Sequence, residues 1–187
     1  MSAGRAAPGR RRVAGWILGA ALAWSTVAAR ATVLLPAEFD DMVAGSSVIV
    51  HGRILDVRGQ ASGDRRTIES LVTLEVEETF KGRPGRVVSF RVPGGQVGRY
   101  RRVMVGAPVF AEGDEVVLFL RGSAPVLPMP YGLNQGVFRV VRDGSGRALV
   151  GSPDAATGRV VRGDPARTPV PLDVFARRVR TVPEAGR

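Results

Sequence analysis

A chain of 187 residues is long enough for one well-packed domain and leaves little room for a second. It contains no cysteine, which excludes disulfide staples, thiolate metal sites and lipid attachment through sulfur. The net charge is +10, and Lys81 is the only lysine among 27 basic residues. That skew towards arginine fits a genomic bias better than selection for nucleic-acid phosphates, and the basic surface favours acidic partners or anionic envelopes through long-range attraction.

Arg5, Arg10, Arg11 and Arg12 precede an apolar run over residues 13–29, which ends in Ala29-Arg30-Ala31. A charged start, a greasy middle and a small-x-small ending form the layout of a secretory signal peptide, predicted over residues 1–31. Cleavage is expected after Ala31, with Ala29 as the second choice. Trp24-Ser25-Thr26 interrupts the run, which falls short of the roughly 20 apolar residues of a comfortable span. No membrane span is therefore expected once the leader is removed, and the exported chain is periplasmic or extracellular. Arg10-Arg11-Arg12 raises twin-arginine export, but the flanking residues fit general secretion better. Five of the 27 basic residues and none of the 17 acidic ones fall in the leader, leaving a net charge of +5 from Thr32 onward.

Residues 35–45 read as a short helix: Pro36 suits its first turn, Glu38 and Asp40 its positive end, and Gly45 its stop. Residues 47–57 follow as a strand with Val48, Val50 and Ile54 on one face and Gly52 marking a bend or bulge. Over residues 67–80 apolar and polar side chains alternate, with Val72, Leu74 and Val76 against Thr73, Glu75 and Glu77. This period of two predicts a strand with one buried and one wet face. Residues 87–92 return as a strand, 93–98 form a Gly-rich loop, and 99–105 are extended. Residues 116–120 are apolar on both faces, as in a central or barrel-lining strand. Residues 126–130 are too rich in proline for a central strand, whereas 137–141 and 147–150 make a hairpin. A Gly/Pro-rich stretch with one short strand at 159–162 leads to a closing helix over 171–182. There Leu172, Phe175, Val179 and Val182 share one face.

Closely spaced strands without long helices between them predict a mainly β fold, a small antiparallel β-barrel of five or six strands flanked by one helix at each end. The expected organisation is a signal peptide over 1–31, a barrel domain over 32–150, and a segment over 151–187 whose helix packs on the barrel.

Chemistry-bearing side chains are few. His51 is the only histidine and lies within a strand, which does not specify a nucleophile, base and orienting acid. With no cysteine, a zinc site would rest on that histidine and carboxylates, and no metal or cofactor is expected. Glu75, Glu77 and Glu78 form one acidic group, and Glu112, Asp114 and Glu115 another. Glu75, Glu112 or Asp114 could serve a hydrolase, but Glu75 sits on the wet face of its strand. Neither group has the spacing of a calcium loop. The loop Pro93-Gly94-Gly95-Gln96-Val97-Gly98 lacks the helix of a phosphate-binding loop. It does bring Gln96, Arg99, Tyr100, Arg101 and Arg102 together, and small barrels bind through such loops. Tyr131, in Met129-Pro130-Tyr131-Gly132-Leu133, offers either a second contact surface or a plug for the barrel.

Three segments carry a resemblance: Ser47-Val48-Ile49-Val50-His51-Gly52-Arg53-Ile54, then Val72-Thr73-Leu74-Glu75-Val76 running to Phe80-Lys81-Gly82, then Glu112-Gly113-Asp114-Glu115-Val116-Val117-Leu118-Phe119-Leu120. Their order resembles that of bacterial exported proteins of uncharacterised function with an OB-like barrel. More distantly, it is similar to the netrin-like domain of tissue inhibitors of metalloproteinases. The likeness spans residues 35–141. It implies an OB-like barrel that binds a protein, a secreted protease among the candidates. Those inhibitors present an N-terminal cysteine to zinc, and this chain has none, so no inhibitory residue carries over. The expectation is an exported, non-enzymatic module that binds a protein or an envelope polymer through its loops. Protease inhibition and carboxylate-dependent hydrolysis are the alternatives, and nucleic acid is not an expected partner.

Overall fold

In the computed structural model, residues 37–61, 67–122, 124–151 and 169–183 are described. The leader over 1–31 and the short strand expected at 159–162 lie outside them. The element order is α1 (Phe39–Gly45), β1 (Val48–Ala61), β2 (Ile68–Lys81), β3 (Val87–Pro93), β4 (Gly95–Val97), β5 (Tyr100–Arg102), β6 (Glu115–Arg121), β7 (Met129–Pro130), β8 (Val137–Arg142), β9 (Ala148–Gly151), β10 (Val170–Pro171) and α2 (Leu172–Thr181).

The fold is mainly β and its sheets are antiparallel. One sheet runs in the order β10-β9-β8-β6-β1-β2-β3, with β7 pairing to β6, while β4 and β5 form a separate ribbon. The ladder is an open path with more strands than the five or six expected. The additions are short pieces, β4, β5, β7 and β10, of two or three residues each. The proline-rich stretch supplies one of them, the edge strand β7, as the missing N–H of proline demands. At the far side of the sheet the Arg91 N–H of β3 donates to the Pro128 carbonyl, next to β7, at 3.0 Å.

The sheet carries a core on each face. On one, Ile49, Val117, Phe119 and Phe138 pack against Phe39 and Met42 of α1 and Phe175 and Val179 of α2. On the other, Val50, Ile54, Val72, Leu74, Phe90 and Phe110 pack with Val116, Leu118 and Leu120. This is why 116–120 is apolar at every position: β6 lies between β1 and β8, and its side chains alternate between the two cores. Burying each such side chain contributes roughly 1.5–3 kcal/mol.

The alternation of β2 breaks where β1 crosses it. Register shifts fall between Ile49/Val50, between His51/Gly52 and between Ile54/Asp56. Leu74 and Phe80 share parity in sequence, yet the one-residue slip between His51 and Gly52 sends Phe80 to the helical core and leaves Leu74 in the other. Gly52 permits this close approach, because a Cβ there would lie 2.0 Å from the Glu75 carbonyl oxygen. The closing helix buries Phe175, Ala176 and Val179, and an Asp173–Arg177 pair at 2.8 Å spans one turn of its exposed face.

Candidate functional site

The expected binding loop folds into a ribbon laid against β1 and β2. Gly98, at a φ of 56°, opens the tight turn that joins β4 to β5. The ribbon lies so close that a Cβ on Gly59 of β1 would sit 1.9 Å from the Gln96 carbonyl oxygen. Residues 103–110 then leave the ribbon and return to the sheet, where Phe110 packs edge-on against Phe90, 5.4 Å between ring centres.

Between sheet, ribbon and returning loop lies a groove of about 460 Å³. Val72, Val92 and Phe110 give it an apolar floor, while Gln96, Arg101, Arg102 and Met104 stand along its side. No acidic residue occurs between Gly94 and Ala111, so Arg101 and Arg102 are the charged side chains of the groove lining. An apolar floor with a few polar groups at the rim is the usual construction of a ligand cleft.

Three of the residues singled out from sequence, Gln96, Arg101 and Arg102, therefore meet at this groove. Two others stand at the turn beside it. Arg99 donates to the Tyr100 hydroxyl at 3.0 Å, with its guanidinium 5.2 Å from that ring's centre. Tyr131 is elsewhere: half-buried, it packs against the helical core, with Arg121 5.7 Å from its ring centre. The passage around Tyr131 is thus partly buried, with the ring packed on the helical core.

The carboxylates considered for hydrolysis do not line the groove. Glu75 and Glu112 are exposed. Asp114 accepts from the Ala111 N–H at 2.8 Å and pairs with Arg139, which serves the turn before β6.

A constellation that sequence reasoning missed surrounds His51. Its ring is buried, and Nε2 lies 3.0 Å from Glu115 Oε1 and 3.6 Å from Glu77 Oε2. Arg53 reaches Glu115 Oε2 at 3.3 Å, and Arg142 reaches Oε1 at 3.2 Å. The ligand atoms of His51, Glu77 and Glu115 lie within 4.8 Å of one another, close enough to share a cation. Two guanidinium groups already balance the two carboxylates, so the set works as an ion-pair network tying β1, β2, β6 and β8. Only the pairing register could have signalled it, because His51 and Glu115 are far apart in the chain.

No protein-family model, curated protein or solved structure matches this chain. Among the described residues, no helix is long and apolar enough to cross a membrane.

Proposed function

We propose that this chain is an exported binding module that acts by surface contact rather than catalysis. Its site is the groove between the sheet and the β4–β5 ribbon. The observation that carries this reading is the groove itself, with an apolar floor beneath a rim that holds arginines and no carboxylate. Such a cleft suits an extended segment of a protein partner that sets an apolar side chain on Phe110 and acidic groups beside Arg101 and Arg102. The layout of the leader supports export, and the approach of β3 to the segment before β7 supports a barrel-like curl of the sheet.

The test is affinity capture from culture medium and envelope extract, comparing the wild-type chain with one carrying Arg99→Glu, Arg101→Glu and Arg102→Glu. A partner held by wild type and released by the variant is the expected result. An identical retained set from both proteins would overturn the reading. An acidic polysaccharide, retained without protein, would assign the groove to an envelope polymer instead.

A further inference from the structure

The ribbon and returning loop hold exposed apolar side chains that the groove alone does not explain. Tyr100 is 61% exposed, Val103 72%, Val105 92% and Val109 80%. Val105 sits near the tip of a turn closed by the Ala107 N–H donating to the Met104 carbonyl at 3.1 Å, with Gly106 at a φ of 82°. Polar residues normally occupy such tips, and a valine held there is apolar surface kept in water. Arg99, Arg101 and Arg102 are exposed in the same stretch. At most about 20 Å of extended chain separates Arg99 from Val105.

We propose that residues 99–109 dock this protein onto an anionic lipid surface. Val103, Val105 and Val109 enter the boundary between headgroups and acyl chains, and Arg99 takes a lipid phosphate. Tyr100 lies at the level where aromatic rings with a polar tip settle. The setting favours lipid over a protein face: Val105 stands on a turn rather than in the groove, and residues 99–109 contain no carboxylate to repel an anionic bilayer. Val103 and Val109 also line the groove, so docking turns its mouth towards the membrane. The association is peripheral, and it does not depend on what the groove binds.

Absence of cysteine makes a site-specific probe simple. Val105→Cys carries an environment-sensitive NBD fluorophore, and Ser145→Cys, on the β8–β9 turn, carries the same label as the control. Each labelled full-length protein is mixed with phosphatidylcholine vesicles, alone or with 30% phosphatidylglycerol. The expected result is at least a twofold rise and a blue shift at position 105 with the anionic vesicles, and little change at 145. Adding Arg99→Glu should weaken the apparent lipid affinity about fivefold or more. An unchanged signal at 105, equal responses to neutral and anionic vesicles, or equal responses at 105 and 145 would overturn the proposal. Neither Arg99 nor Val105 lines the groove, so failure here leaves the capture experiment to judge the groove separately.

Discussion

His51 and Glu115 stand 64 positions apart in the chain, yet Nε2 and Oε1 meet at 3.0 Å on neighbouring strands. In the β1–β6 ladder Arg53 pairs with Glu115 and His51 with Val117, so all four side chains share one face of the sheet. Glu115 is 9% exposed, whereas Arg53 and Arg142, its cationic partners, are about half exposed. The buried carboxylate is thus held between a buried imidazole and two solvated guanidinium groups.

Glu115→Ala removes the acceptor common to three donors and leaves His51 buried with only the longer contact to Glu77. A loss of about 2–4 kcal/mol is expected, with Glu115→Gln retaining part of it. Urea unfolding monitored by circular dichroism measures both, and a change below about 0.5 kcal/mol would deny the network a structural role.

Gly59→Ala should separate the ribbon from the sheet, since its Cβ would fall 1.9 Å from the backbone of Gln96. The global stability cost is expected to be about 1–3 kcal/mol. Amide exchange of residues 95–102 should accelerate more than that of β6. Uniform acceleration across both would show that the ribbon does not open as a unit.

Phe119→Ala empties the centre of the helical core, where its ring lies 5.9 Å from Phe39, 5.3 Å from Phe138 and 6.1 Å from Phe175. The expected loss is about 3–5 kcal/mol. Phe110→Leu, at the groove floor, should cost about 1 kcal/mol because the loop above can settle. Equal losses for the two variants, measured by chemical denaturation, would contradict the assignment of Phe119 to the main core.

Asp143 gives a prediction in pH. Its side chain accepts from the Ser145 hydroxyl and from the Arg147 and Ser145 N–H groups, and these bonds lower its pKa from 3.8 to about 2. A depressed carboxylate pKa stabilises the folded state above the unfolded value and stops doing so as pH falls through the folded one. The difference in melting temperature between wild type and Asp143→Asn should therefore be constant above about pH 5, shrink between roughly pH 4 and 2, and level off below. A difference independent of pH from 5 to 2 would exclude the effect.

Much of the strand content could be read locally. The alternation in β2 and the double-faced apolar run of β6 each record burial along a single segment, as does the stripe of α2. Gln96, Arg101 and Arg102 were legible as a cluster for the same reason: they are near neighbours in sequence, and a tight turn keeps them together. Tyr131 was not, because a tyrosine in a proline-rich loop reads alike whether it is wetted or packed.

Composition and local pattern sufficed for the β class, the two-sided burial of β6 and the grouping of basic side chains in the Gly-rich loop, since these depend on residues within a few positions of one another. The partnership of His51 with Glu115, the displacement of Phe80 into the helical core and the hollow beneath the ribbon depend on strand register. Register is chosen by the packing of both sheet faces at once, and one bulge reverses which side chains meet. Only the assembled sheet makes that choice.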